Sequence, residues 1–233
     1  MIFRLETNPY LPFPDVALAE TEPNGLLAVG GDLSPIRLIN AYRQGVFPWY
    51  SNNEPILWWS PDPRTVLYPD KIRPSRSLRK TLRKGLFRVS FDSAFEQVIT
   101  ACSQPRRGSP GTWLIPEMIT AYQQLFELGL AHSVEVWRED RLAGGLYGVA
   151  IGGVFYGESM FSRVADGSKV ALVHLCHTLY QWGFKLIDCQ VYTNHLISLG
   201  AEEISRVQFC QHLDDWCNLP GRPGLWSSFT PAA

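Results

Sequence analysis

Three polar side chains stand in segments whose other residues suggest buried β-strands. Glu158 interrupts the run VFYGESMF, and Asp188 and Gln190 lie two residues apart in FKLIDCQV. Period-two alternation predicts that Glu158 shares a face with the other even-numbered residues of 154–160, and that Asp188 shares a face with Gln190. Burying such a group without a partner costs roughly 2–7 kcal/mol. The three side chains therefore form either a satisfied structural network or a site.

The residues between these segments predict a helix that connects two strands. Ser168 is a suitable N-cap, apolar residues recur at helical spacing after it, and Gly183 is a suitable stop. A short return from such a helix implies a right-handed crossover and a parallel strand pair. Earlier strands at 132–137, 142–150 and 152–161 give the order β-β-β-α-β. This order resembles the acyltransferase fold of the Gcn5-related N-acetyltransferases, so we expect an α+β protein with a mixed sheet.

The first quarter of the chain differs from the rest in amino-acid composition. Residues 1–62 are dense in proline, glycine and tryptophan, and Ser34-Pro35 opens a short helix. We predict a small N-terminal α/β domain at 1–62 and a larger C-terminal, acyltransferase-like (GNAT-type) domain at 63–233. The boundary is placed near Pro61-Asp62-Pro63.

Composition argues against several classes of protein. No apolar run approaches the roughly 20 residues of a membrane span, and the first residues lack a signal-peptide pattern. The five cysteines are odd in number and form no CxxC pair, which predicts neither a disulfide framework nor a zinc site. We therefore expect a cytoplasmic protein with no membrane segment and no metal.

A local run of basic residues contrasts with the net charge of −1. Between residues 71 and 88 there are eight basic side chains and no acidic one. Such a patch is typical of phosphate contacts, although a solvated helix face has the same appearance. The candidate nucleic-acid-binding residues are Arg76, Arg79, Lys80, Arg83 and Lys84.

Common catalytic motifs do not identify a reaction for this sequence. The sequence contains no Ser-His-Asp order, no HExxH and no GxxxxGK[ST]. The segment RVADGSKVA, at 163–171, lies where coenzyme A-dependent acyltransferases hold a pyrophosphate, but it lacks their double-glycine spacing. An anion could still bind there with help from Lys169. A coenzyme A cofactor is not supported, and none is predicted.

Several motifs together resemble the family of leucyl/phenylalanyl-tRNA–protein transferases. They are PNGLLAVGGDLSP, GVFPWYS, LWWSPDPR, GTWL, AHSVEVWRED, GESMFSR, DGSKVAL and LIDCQV followed by SLGA, and they span about Glu22 to Ala201. The resemblance implies an enzyme that uses Leu-tRNA and Phe-tRNA, and by extension Met-tRNA, as donors. The implied acceptors are proteins with N-terminal Arg or Lys, which the transfer marks for N-degron degradation. A monomer without a cofactor is implied as well.

The resemblance also assigns roles to particular residues. The terminal adenosine of the donor is expected on Trp49 and Trp113, although either ring alone could equally be core packing. An apolar pocket for the donor side chain is expected from Leu146, Met160 and Ile187.

For the chemistry, the family assigns proton removal to Gln190, polarised by Asp188. Because an amide is a poor base, Gln190 could instead orient the amine while a carboxylate or the tRNA takes the proton. Glu158 would bind an amino group, of either donor or acceptor.

Two rival interpretations are weighed against this one. A coenzyme A-dependent N-acetyltransferase is disfavoured by the missing double-glycine loop. A non-catalytic tRNA-binding module would leave Asp188 and Gln190 as structural groups.

Overall fold

A computed structural model describes residues 2–105 and 114–228. The first part of the chain forms a four-stranded sheet in the order β1-β2-β4-β3, with β1 parallel to β2 and the other pairs antiparallel. Its elements are β1 (Phe3–Leu5), a 3₁₀ turn (Val16–Leu18), β2 (Leu26–Gly30), α1 (Pro35–Arg43), β3 (Phe47–Pro48) and β4 (Leu57–Trp59). As predicted, α1 starts at Pro35, and the Ser34 hydroxyl accepts the Arg37 N–H. This helix buries the side chains of Arg37 and Tyr42.

The rest of the chain builds a seven-stranded sheet. Its elements are β5 (Arg64–Leu67), a 3₁₀ turn (Pro69–Lys71), α2 (Arg76–Arg83), β6 (Arg88–Phe91), α3 (Phe95–Cys102), α4 (Pro116–Glu127), β7 (Ala131–Arg138), β8 (Arg141–Ile151), β9 (Val154–Ser162), α5 (Gly167–Gln181), β10 (Leu186–Gln190), α6 (Asn194–Ser198), β11 (Glu202–Ile204), α7 (Arg206–Trp216) and a 3₁₀ turn (Trp226–Ser228). The strand order is β11-β5-β10-β9-β8-β7-β6, and β9 and β10 form its one parallel pair. The mixed α+β fold and the β-β-β-α-β order predicted from the sequence are confirmed.

Separate apolar clusters cover the two faces of this sheet. One contains α1, α3, α4 and α7, and the other is centred on α5 with a contribution from α2. On β8 the neighbouring residues Leu146 and Tyr147 belong to different clusters, as alternation requires. A sheet covered on both faces positions side chains rigidly at the end of its strands.

The start of α5 differs from the prediction. Ser168 is not the N-cap, because the helix begins at Gly167 and Asp166 occupies the cap position with a φ of 67°. The Asp166 carboxylate makes no cap hydrogen bond; it accepts the Thr81 hydroxyl at 2.9 Å and the Lys169 ammonium at 3.4 Å. The N–H of Ser168 donates to the Ser162 hydroxyl at 2.7 Å. A contact with α2 thus replaces the local cap and fixes α2 against α5.

None of the helices in the described residues is long and apolar enough to cross a membrane.

Candidate active site

The parallel pair β9–β10 ends early, and a cavity opens beyond it. The pairing runs only from Leu186 opposite Val154 to Asp188 opposite Tyr156. Past that point both strands line a cavity of about 820 Å³, together with the loop after β3, the end of α3 and parts of α5 and α6. Because the strands separate here, side chains from both faces of the sheet reach the same space.

A β-bulge at Glu158 corrects the alternation predicted for β9. Ser159 pairs with Tyr147 and Gly157 pairs with Gly148, so Glu158 is an extra residue on its strand. Beyond the bulge, the even-numbered residues of β9 lie on the opposite face of the sheet. Tyr156 packs in the cluster with α1 and α4, whereas Met160 packs with the α5 cluster. The prediction that Met160 shares a face with the earlier even-numbered residues is therefore wrong. The exchange nevertheless leaves both Glu158 and Met160 in the lining of the cavity.

Three donors hold the Glu158 carboxylate. Tyr42 donates to Oε1 at 2.8 Å, Tyr122 donates to Oε2 at 2.6 Å, and Gln190 Nε2 donates to Oε1 at 3.1 Å. The two tyrosine hydroxyls lie 2.9 Å apart. Because a carboxylate offers about four acceptor positions, Glu158 retains capacity for one further hydrogen bond.

Burial raises the pKa of Glu158 to about 7, although the hydrogen bonds from Tyr122 and Tyr42 favour the ionised form. The Asp188 carboxylate raises this pKa further, and the Arg64 guanidinium lowers it. A carboxyl that titrates near neutrality in a cavity is suited to accept and release a proton.

Asp188 lies beneath the cavity and does not line it. The side chain is fully buried, and its partner is Arg64, also buried. Arg64 Nε donates to Oδ1 at 2.9 Å and Nη2 donates to Oδ2 at 2.7 Å, which is a two-pronged ion pair. Sequence reasoning missed Arg64, because it stands 124 residues away and no spacing signal points to it.

Gln190 adopts an unusual backbone conformation that brings its side chain to the cavity. Its φ is 65°, in the left-handed region, and the pairing of β10 with β5 shifts register between Asp188 and Gln190. The Gln190 N–H donates to Asp188 Oδ1 at 2.9 Å. Asp188 therefore supports the backbone of Gln190. In the part of the chain that the structure describes, the side-chain oxygen of Gln190 has no hydrogen-bond partner.

The other end of the cavity is apolar. Leu146, Met160 and Ile187, the three pocket residues expected from the sequence, all lie in its lining. Further lining comes from residues that sequence reasoning did not select: Phe155, Leu172, Leu175 and Cys189. Helical spacing marked Leu175 only as an apolar position of the helix, because a pocket wall and a core have the same periodicity.

Trp49 stands at the rim of the cavity. Its ring is 46% exposed and meets Trp59 edge to face, with centroids 5.7 Å apart. The Trp59 N–H donates to the Trp49 carbonyl at 2.6 Å, which fixes the loop while the ring stays accessible. The second predicted ring, Trp113, lies outside the described residues.

Substituting Trp49 by alanine is expected to weaken binding of an aminoacyl-adenosine analogue by about 1–3 kcal/mol, the usual worth of a base stacked on an aromatic ring. Titration calorimetry measures the effect. Trp137→Ala, which removes a half-buried indole from β7, is the control and should leave the affinity unchanged. Normal affinity of Trp49→Ala would show that the ring is only packing.

The basic residues chosen from the sequence occupy the exposed side of α2. Arg76, Arg79, Lys80, Arg83 and Lys84 are all exposed, whereas Leu78 is buried against the large sheet. None of the five has a carboxylate within ion-pair distance among residues 2–105 and 114–228. Through the contact between Thr81 and Asp166, α2 adjoins the start of α5, where Ser168 lines the cavity. Phosphates bound on α2 would therefore lie close to the cavity mouth.

Reversing Arg76, Arg79 and Arg83 to glutamate is expected to raise the KM for aminoacyl-tRNA. The defect should be largest at low salt, because phosphate contacts dominate such affinity and salt screens them. Steady-state kinetics over a range of salt concentrations test this. Lys185→Glu serves as the control, because Lys185 precedes β10 at the end away from the cavity. A triple variant with an unchanged KM at low salt would leave α2 as a solvated surface.

Within the described ranges, no group of three His, Cys, Asp or Glu side chains could hold a metal ion. All five cysteines are free thiols.

A mixed sheet that separates at its parallel pair, with a carboxylate, an amide and an apolar pocket in one cavity, is an arrangement suited to acyl transfer. The family described as leucyl/phenylalanyl-tRNA protein transferase matches residues 66–214, and the family described as its N-terminal domain matches residues 31–62. The chain belongs to the leucyl/phenylalanyl-tRNA–protein transferases, and it is an aminoacyltransferase.

Individual relatives agree with this membership. The chain is 59% identical to the leucyl/phenylalanyl-tRNA–protein transferase of Nitrosomonas europaea over 92% of this chain and 91% of that protein. It is 58% identical to the enzyme of Aromatoleum aromaticum, with the same two coverages. Among solved structures, a GCN5-related N-acetyltransferase from Kribbella flavida is similar with a TM-score of 0.38 and 10% identity, covering 70% of this chain and 58% of that one.

Proposed function

We propose that this protein transfers leucine or phenylalanine from aminoacyl-tRNA to the N-terminal α-amine of an acceptor protein. The observation that supports it best is the single cavity in which an apolar pocket, suited to the donor side chain, adjoins Glu158 and Gln190. The names of the relatives support the same donors and a protein acceptor.

The reaction is aminolysis of an ester. The amine nitrogen attacks the carbonyl carbon, a C–N bond forms, and the C–O bond to the terminal ribose breaks. The amine loses one proton and the departing ribose oxygen gains one, so the exchange balances without a further reactant. Since the donor is already an activated ester, neither ATP nor a metal is required by this chemistry.

The roles of the polar groups follow from their contacts. The side-chain oxygen of Gln190 can accept one N–H of the amine, while its nitrogen is held by Glu158. An α-amino group has a pKa of about 7.7–8.0. With a pKa of about 7, the Glu158 carboxylate is matched to take the proton and return it to the leaving oxygen. Gln190 then orients the nucleophile, and Asp188 supports Gln190.

The proposal extends to the acceptor proteins and to a further donor. Acceptors begin with Arg or Lys, as the resemblance of the sequence motifs to the family implies. Methionine is a third donor, because an apolar pocket separates side chains by only about 1–3 kcal/mol per methylene. Transfer marks the acceptor for N-degron degradation in the cytoplasm. The protein acts as a monomer, with 1–62 and 63–233 as its two domains.

The test is a transfer assay with labelled Phe-tRNA and a peptide beginning with Arg. Transfer is expected from Phe-, Leu- and Met-tRNA, and not from Ile- or Val-tRNA, whose β-branch meets the pocket wall. Acetyl-CoA in place of the tRNA should give no product. Acetylation would support an N-acetyltransferase instead, and tRNA binding without transfer would support a binding module.

A further inference from the structure

Arg64 is a buried side chain whose contacts extend beyond its ion pair. Besides Asp188, its guanidinium donates from Nη1 to the Gly45 carbonyl at 3.1 Å. It lies between the rings of Phe47 and Phe209, at 4.7 Å and 4.6 Å from their centroids. Two rings and three hydrogen bonds leave the group a single orientation.

One oxygen of the Asp188 carboxylate connects Arg64 to Gln190, which lines the cavity. Asp188 Oδ1 receives both Arg64 Nε and the Gln190 N–H, each at 2.9 Å. Gln190 is in the left-handed region, which is unfavourable for a residue with a side chain, so surrounding contacts must impose it. The amide side chain then meets Glu158 at 3.1 Å.

We propose that Arg64 is a positioning residue for the transfer reaction: through Asp188 it holds the backbone of Gln190 in the conformation that presents the amide to the acceptor amine. Arg64 is buried and does not line the cavity, so it is expected to act on the rate of the chemical step and not on binding. The inference rests on the proposed function, because Gln190 orients the amine there.

The chain contains a second buried arginine that provides a matched control. Arg37 is 1% exposed, as Arg64 is, and it lies 5.8 Å from the ring of Phe13. It donates to the carbonyls of Glu6 and Asn8 and has no place in the cavity. Arg64→Lys and Phe209→Leu are therefore compared with Arg37→Lys and Phe13→Leu.

The experiment measures kcat and both KM values for transfer from Phe-tRNA, normalised to the folded fraction from circular dichroism. Lysine keeps the charge but cannot span both oxygens of Asp188. Arg64→Lys should lower kcat on the order of 10²-fold, as for a small misplacement of a reacting group, with both KM values within about threefold. Phe209→Leu should also lower kcat, but by a smaller factor than Arg64→Lys. If Arg64→Lys does not fold, Phe209→Leu alone decides the outcome.

The controls should lose stability but keep kcat within about twofold, because Arg37 and Phe13 do not support a reacting group. Wild-type kcat in both test variants, or an equal loss of kcat in the controls, would overturn the proposal.

A measurement without substrate separates this inference from the proposed function. Hydrogen exchange at the Gln190 backbone N–H should be faster in Arg64→Lys than in wild type, and unchanged in Arg37→Lys. Unchanged exchange in Arg64→Lys overturns the inference whatever the activity. Absence of transfer by the wild-type protein overturns the proposed function, while the exchange result still decides the role of Arg64.

Discussion

Replacing Glu158 by glutamine is expected to lower kcat by about 10²–10⁴-fold, the usual contribution of a general acid or base. Glutamine keeps the size of the side chain and the cavity lining but cannot take a proton from the amine. Its NH₂ group cannot accept a hydrogen bond, so the tyrosine hydroxyl on that side must accept one from it instead. Both KM values should change much less than kcat, because the cavity keeps its shape.

The pH profile gives a sharper form of the same test. Glu158 must be ionised to take the proton, so wild-type activity is present above its pKa of about 7 and is lost as the pH falls through it. The acceptor amine must also be neutral, which adds a second loss below its pKa of about 7.7–8.0. Well below both values, log(kcat/KM) for the acceptor should rise with pH at a slope of about two in wild type and about one in Glu158→Gln.

Besides burial, several neighbouring groups set the pKa of Glu158. Tyr42 on α1 and Tyr122 on α4 donate to the carboxylate, and Asp188 and Arg64 act on it with opposite signs. Gln190 donates from β10. Burial raises the pKa of the Tyr147 hydroxyl on β8, and the nearby Tyr122 and Glu158 raise it further.

Glu135→Gln is the matched control for the rate. Glu135 is a buried carboxyl on β7 whose pKa is raised by burial, and it is held by the hydroxyls of Ser133 and Ser90 outside the cavity. The Glu135→Gln enzyme should keep the wild-type kcat and the wild-type slope of log(kcat/KM) against pH. A Glu158→Gln enzyme with the same slope as wild type would exclude Glu158 as the group that takes the proton.

The sequence predicted the β-β-β-α-β order of elements along the chain and singled out three polar residues, because both are local patterns. Alternation and helical spacing identified β7 to β10 and α5, and the three polar side chains stood out within otherwise apolar segments. The resemblance to a family was likewise carried by short contiguous motifs. These features depend on neighbours in the chain, which a sequence displays directly.

What the sequence did not predict depends on distant parts of the chain. The bulge at Glu158 arises from the pairing of β9 with β8, and a single strand does not reveal its partner's register. Tyr42 reaches Glu158 from 116 residues away, and the raised pKa of Glu158 follows from such contacts and from burial. Asp188 was predicted to polarise Gln190, but its oxygens face Arg64 and the Gln190 backbone N–H.

Replacing Asp188 by asparagine is accordingly expected to destabilise the fold by about 3–5 kcal/mol, the cost of breaking a buried ion pair by removing one partner. Sequence reasoning alone would treat this change as a removal of charge that leaves folding intact. In the structure it leaves the Arg64 guanidinium buried at 1% exposure without a countercharge. Urea unfolding followed by circular dichroism measures the loss.

Asp32→Asn is the control for this substitution, since Asp32 also pairs with a buried arginine. Its carboxylate is 30% exposed and lies 3.4 Å from Arg37, whose other hydrogen bonds to backbone carbonyls remain. We expect a loss of about 0–1 kcal/mol there, as for exposed ion pairs. Asparagine at 188 can still accept the Gln190 N–H through its oxygen, so the variant that remains folded should retain part of its kcat. If Asp188→Asn were as stable as Asp32→Asn, the pair with Arg64 would contribute little to the fold, and the placement of Gln190 would have to come from β5 pairing alone.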